Sequence, residues 1–363
     1  MTSPLLDIHG AVAAPEADSP DAGVAWHYGD PYGEQRAAVR SVAVIDRSNR
    51  GVLAVPGADR LTWLHTLTSQ HFTELADATG TEALVLDAHG HVEHHVVVGQ
   101  LDGTVWLDGE PGSVGGLLDY LVKMKFWSAV EPRDASGELA VLTVVGPDSA
   151  RVLGGISLPV ADYSMVPLDG GGFVRRMPWP GQGAVDLLVP RDRLVSWWRT
   201  ITGAGARPAG SWTFEALRVE SLRPRLGVDT DERTIPHEVN WIEPAVHLNK
   251  GCYRGQETVA KVANIGRPPR RMVLLHLDGS TNILPLTGQP VRLGDRVVGR
   301  VGSVVRHHEL GSVALALVKR SAPLDAELLA GVGDHVVQAS IDPDSVAPDA
   351  PAPGREAAAR LRG

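Results

Sequence analysis

One pattern occurs twice in this chain and limits what it can fold into. Gly51-Val52-Leu53-Ala54-Val55 reads as a strand, followed by the turn Pro56-Gly57-Ala58-Asp59 and a helix with Leu61, Leu64 and Leu67 on one face. Val141-Leu142-Thr143-Val144-Val145 runs into Gly146-Pro147-Asp148 in the same way. The echo predicts two related α/β halves. Val42 to Asp46 reads as a further strand, and Ala83 to Val98 as a hairpin turning near His89-Gly90. Pro111, at a first-turn position, predicts the start of a helix carrying Val114, Leu117, Leu118, Leu121 and Val122. Leu194 to Ile201 reads as a helix whose Trp197 and Trp198 pack between layers. Pro268-Pro269 marks a boundary. Beyond it come short β-rich runs around Met272, Gln289, Val297 and Val313, with turn residues between them, which predict a small barrel.

The rest of the composition narrows the function. A chain of 363 residues is too long for one small core. Its formal charge of -9 argues against a broad nucleic-acid surface, which needs clustered Lys and Arg. No apolar run approaches the roughly 20 residues that span a bilayer, and the N-terminus has no secretory pattern. One cysteine cannot form an internal disulfide, which points to a reducing, cytoplasmic setting. Nor can one cysteine hold an iron–sulfur or zinc site alone. Ala-, Pro- and Asp-rich ends predict disordered tails over 1–24 and 342–363, flanking a main domain over 25–267 and the barrel over 268–341.

That single cysteine lies in Asn249-Lys250-Gly251-Cys252-Tyr253-Arg254-Gly255-Gln256-Glu257-Thr258. Two glycines permit unusual backbone angles, and Lys250 and Arg254 are placed to favour the reactive thiolate. The competing reading is a small core hydrophobe. His89-Gly90-His91-Val92-Glu93-His94-His95 is the other conspicuous segment. On a strand His91, Glu93 and His95 point one way, expected to be solvent, and Val92, His94 and Val96 the other, toward the interior. Such a polar outer face is a commoner use of strand histidines than a metal site, so no metal is expected. His94, a polar residue on an apolar face, either lines a ligand channel or is a satisfied core histidine.

Lys250-Gly251-Cys252-Tyr253-Arg254-Gly255-Gln256-Glu257 resembles the signature of the YgfZ-type folate-binding proteins, relatives of the glycine-cleavage T-protein (aminomethyltransferase). Ile235-Pro236-His237-Glu238-Val239-Asn240-Trp241 fits the segment that precedes that signature, and Ala216-Leu217-Arg218-Val219-Glu220 resembles the superfamily's preceding helix. The resemblance implies an α+β fold: two α/β subdomains around a central channel that holds tetrahydrofolate or another reduced folate, plus a C-terminal β-barrel. It implies an essential role for Cys252 in supporting assembly or repair of iron–sulfur clusters in client enzymes, among them tRNA-thiomethylating ones. Arg218 would contact the folate's glutamate tail, a fit of guanidinium to carboxylate, with Glu220 beside it. The Arg218/Glu220 pair also reads as an ordinary exposed helical pair, and Glu238 is expected either to contact the folate or to brace the cysteine loop. The T-protein's pair of acidic residues falls on Glu93 and His94, and its pterin-holding Glu on Gln182 of Pro180-Gly181-Gln182-Gly183-Ala184. These departures leave folate binding in place and weigh against classical aminomethyl transfer. Two alternatives stay open: a T-protein-type one-carbon transferase, and a folate-binding interaction module without turnover.

Overall fold

The computed structural model describes residues 2–16, 19–264, 267–280 and 282–346. The chain divides into two compact units. The first runs to His65, then takes in His71–Ala83 and His94–Ser221; the second takes Thr66–Gln70, Leu84–Glu93 and the chain from Leu222 onward.

In the first unit β1 (Val12–Ala13) pairs with β2 (Ala25–His27), and α1 (Pro31–Arg40) follows, capped by the Asp30 side chain. The predicted repeat is visible as topology. Strand β3 (Ala43–Asp46) precedes the first copy: β4 (Gly51–Pro56), α2 (Arg60–Leu67), β5 (Thr79–Leu86), β6 (Val92–Leu101), β7 (Thr104–Gly109), α3 (Val114–Lys123) and β8 (Arg133–Asp134). The second copy is β9 (Leu139–Val145), α4 (Ser149–Val152), β10 (Met165–Pro167), β11 (Phe173–Arg176), β12 (Val185–Pro190), α5 (Leu194–Gly203) and β13 (Arg207–Ala209). The sheet orders are β5-β6-β7-β4-β8 and β10-β11-β12-β9-β3-β13. In each copy the strand before the first helix lies beside the strand before the second. Helix α6 (Ser211–Glu220) closes the unit.

Several apolar clusters hold these layers. Val44, Leu142, Val144, Val185 and Leu187 pack against Leu194, Trp198 and Ile201 of α5. Val52 and Ala54 pack with Val141, Phe173 and Leu188 between the sheets. Helix α3 begins at Val114 rather than at Pro111, because Gly112 adopts a φ of 78° that no helix continues.

The expected disordered tail over 1–24 does not hold in its described part. Leu5 is fully buried in the α5 core, and the buried Ser3 hydroxyl donates to Asp46 Oδ2 at 2.5 Å. Two leucines among polar residues show no periodicity, so only tertiary contact reveals them. At the other end, Pro343–Ser345 forms a short 3-10 helix in which Ser345 is buried; 347–363 lie outside the described residues.

The second unit carries the expected closed barrel, β14 (Arg270–Leu277), β15 (Pro290–Leu293), β16 (Arg296–His307), β17 (Gly311–Lys319), β18 (Leu328–Ala330) and β19 (Val337–Ile341), in the order β14-β17-β16-β15-β18-β19. Its filling follows the two-residue strand period: Val337, Ala339 and Ile341 point in while Gln338 and Ser340 point out. Ahead of the barrel, the unit contains a 3-10 turn at Pro236–Glu238, α7 (Ile242–Ala245) and α8 (Gln256–Asn264). No helix among the described residues is long and apolar enough to cross a membrane.

Candidate functional site

The cysteine loop joins α7 to α8 in the second unit, and nearly every residue around Cys252 is tied down. Lys250 is buried; its Nζ donates to the carbonyls of Thr68 at 2.7 Å and Gln70 at 3.0 Å and lies 5.0 Å from the Tyr253 ring centroid. Burial pulls its pKa down to about 8. Gln256 Nε2 donates to the Lys250 carbonyl at 3.1 Å. Tyr253 is buried, its hydroxyl lacks a partner, and burial pushes its pKa up to about 12. Arg254 pairs with Glu93 at 2.9 Å. Gly255 has a φ of 80°, and a Cβ there would meet the Asp87 carbonyl oxygen at 2.6 Å and Gly90 Cα at 2.8 Å. The glycine is therefore required for the loop to dock on the β5–β6 turn. Out of this fixed frame Gly251 and Cys252 stand exposed, as does Glu257. The two cations expected to favour the thiolate are bound to carbonyls and to a carboxylate, so their observed work is to shape the loop.

Glu238 is buried, and its hydrogen bonds run to the start of the barrel and to its own turn, not to the cysteine loop. Its carboxylate accepts from Arg270 Nε at 2.9 Å and Nη2 at 2.7 Å and from the Ile235 amide at 3.2 Å. Arg270 begins the first barrel strand and also grips Asp231, whose pKa falls to about 2: burial acts upward, and the Arg270 hydrogen bond outweighs it. Between Pro236 and Glu238, both ring nitrogens of His237 lack a partner, and burial lowers its pKa to about 4. Sequence reasoning passed over His237; its only signal was its place inside the Pro-x-Glu segment.

The remaining expected site residues lie in the first unit. Arg218 is buried rather than an exposed helical charge, and its fork is closed on Glu215 one turn earlier, with Nε to Oε1 at 2.9 Å and Nη2 to Oε2 at 2.5 Å. Glu215 is thus one partner of Arg218; Glu220, at the end of α6, is exposed. Gln182 is exposed, with its carbonyl accepting from the Gly146 amide at 2.9 Å. His94 is half-buried, its Nδ1 lacks a partner, and burial lowers its pKa.

His95 corrects the strand reading. It is buried, not solvent-facing, and its Nε2 lies 2.8 Å from Glu82 Oε2. Glu82 is itself fully buried, and its other oxygen accepts from the Tyr163 hydroxyl at 2.5 Å and Trp179 Nε1 at 3.0 Å. From His95 onward both faces of β6 are covered, so alternation no longer separates wet from dry. Tyr163 holds a φ of 59°, a costly conformation for a non-glycine residue. This cluster had no local signal, because its members lie 13 to 97 positions from Glu82.

The comparisons agree with this architecture. The model of the GCVT N-terminal domain matches residues 25–250. An aminomethyltransferase of Rippkaea orientalis is 26% identical over 320 residues, covering 81% of this chain and 84% of that protein. A chloroplastic Arabidopsis thaliana protein, provisionally named a transferase, is 25% identical over 300 residues; the match covers 77% of this chain and spans 66% of that relative's length. The crystal structure of glycine cleavage system aminomethyltransferase T from Bartonella henselae superposes with a TM-score of 0.82 at 17% identity, covering 94% of this chain and 96% of that one. Since the family model covers well over half of its length, the chain belongs to the GCVT N-terminal domain family, within the superfamily of the T-protein aminomethyltransferases.

Proposed function

We propose that this protein is a cytoplasmic, tetrahydrofolate-binding protein of the YgfZ type, which assists assembly or repair of iron–sulfur clusters in client enzymes through the thiol of Cys252. One observation carries the reading: the only cysteine is exposed at the centre of a loop whose neighbours Lys250, Tyr253, Arg254 and Gly255 are all engaged in holding it. A core cysteine would be buried, and an incidental surface cysteine would not need so rigid a frame.

The donor set fits a reduced folate in part. In the first unit, His94 Nδ1 is a polar atom without a protein partner, able to bond a ligand. Gln182 offers an exposed amide. Arg218 would take a tail carboxylate only if Glu215 shared or released its fork. When bound, tetrahydrofolate supplies a carrier for one-carbon units.

The T-protein reading remains the second one, and the names of the relatives favour it. Against it stand the residues at the resembling acidic pair: Glu93 is tied to Arg254, and His94 is an imidazole that burial keeps neutral. Calorimetry with tetrahydrofolate, followed by an aminomethyl-transfer assay on the same preparation, separates them. Saturable binding without transfer supports the proposal. Transfer at rates comparable to a T-protein, or no folate binding, contradicts it.

A further inference from the structure

The histidine-rich segment does hold a convergent set of ligands, though not on the strand face where alternation directs attention. At the turn between β5 and β6, in the second unit, ligand atoms of Asp87, His89 and His91 all lie within 4.8 Å of one another. From this geometry we propose a solvent-open binding site for a borderline divalent transition metal of the zinc class, held by the Asp87 carboxylate and the Nδ1 atoms of His89 and His91.

The carboxylate is aimed before any ion arrives. Asp87 Oδ1 accepts from the backbone amides of His89 and His91, each at 2.8 Å. That leaves Oδ2 toward the imidazoles, 2.9 Å from His91 Nδ1 and 3.7 Å from His89 Nδ1. With metal–ligand bonds of about 2.0–2.1 Å, a tetrahedral site has ligand atoms roughly 3.3 Å apart. The two distances bracket that edge, and rotation of the exposed His89 ring and the half-buried His91 ring must close the third edge from within 4.8 Å. The imidazoles lie nearly face to face, with centroids 5.9 Å apart at 28°.

The turn cannot easily relax away from this arrangement. Asp87 and His91 are joined by a backbone bond of 2.9 Å, and Gly90 bonds back to the Asp87 carbonyl at 3.1 Å. Gly90 has a φ of 85°, and a Cβ there would lie 2.8 Å from Thr258 Cβ in α8. The hydrogen bonds that fix Asp87 serve as the outer support a metal ligand needs. Three protein ligands leave a coordination position to water, the arrangement of exchangeable rather than structural zinc. His89, with a side chain 80% exposed, is the entry point.

The test uses the full chain, stripped with a chelator and titrated with Zn²⁺ by calorimetry and with Co²⁺ by absorption. Wild type is expected to bind one equivalent. His89→Ala should weaken that binding by about 10- to 100-fold or more, the scale of an outer-shell loss as a lower bound. Its metal-free melting temperature should stay unchanged, and Asp87→Asn should weaken binding likewise. Cys252→Ser should leave affinity intact, and the Co²⁺ spectrum should lack a thiolate charge-transfer band. No saturable binding by wild type, equal affinity in His89→Ala, or loss with Cys252→Ser alone would each overturn the proposal.

Discussion

The centre of the first unit and the cysteine loop of the second use charge in opposite ways. Between the two sheets, Arg175, fully buried, bonds Asp108 at 2.7 Å and Asp186 at 3.0 Å. Arg50 bonds Asp108 and Glu110, each at 2.9 Å, and Arg47 lies 3.6 Å from Asp186 and 3.7 Å from the Phe214 ring centroid. Every charge there faces another charge, as a dry interior requires. In the cysteine loop, Lys250 and Arg254 are spent on holding the loop so that one exposed sulfur is presented. The first arrangement reads as stability and the second as presentation. The contrast warns against equating buried charge with function, since this buried network contains no residue expected to act on a ligand.

The contrast breaks most readily at Asp108. Burial alone would raise its pKa, but the Arg175 and Arg50 guanidiniums hold the carboxyl below its ordinary range. Asp108→Ala takes one carboxylate from each arginine, leaving Arg175 with Asp186 and Arg50 with Glu110, and should cost about 3–5 kcal/mol in denaturant unfolding. A loss under 1 kcal/mol would mean that water replaces the carboxylate. Next comes Leu5→Ala, expected to cost about 2–5 kcal/mol as a buried leucine truncation. An unchanged melting temperature would restore the view of the N-terminus as a dispensable tail.

A subtler probe is His237. Burial lowers its folded pKa to about 4, below the ordinary histidine value of 6.5. Between those values the unfolded chain holds the extra proton, so stability falls as pH drops through this window and is level above it. His237→Gln should flatten that part of the pH–stability curve. An identical slope in the variant would place the titration elsewhere.

Much of this organisation is legible in the chain, for identifiable reasons. Val52–Val55 and Val141–Val145 are dense apolar runs with Gly/Pro/Asp stops, and both strands and the repeat follow from them. Strands β10 and β11 escaped notice because they are three and four residues long and separated by Asp169-Gly170-Gly171-Gly172. Arg175 escaped because a charge on a strand suggests an outward face, while here both faces of the strand are covered. His95 was misassigned for the same reason. At the candidate site the cysteine motif is local and readable. The acceptors of Lys250 at Thr68 and Gln70 lie 182 and 180 positions away, beyond any local pattern.

The account rests on Cys252 being presented rather than packed, and one substitution tests it in two readouts. Cys252→Ser exchanges sulfur for oxygen at an exposed position, where substitutions usually move stability by no more than about 0.5 kcal/mol. In a strain lacking the gene, wild type should restore the activity of iron–sulfur enzymes, and the serine variant should not, while melting like wild type in vitro. Full rescue by the serine variant, or a variant that unfolds, would contradict the claim that this thiol is what the loop is built to present.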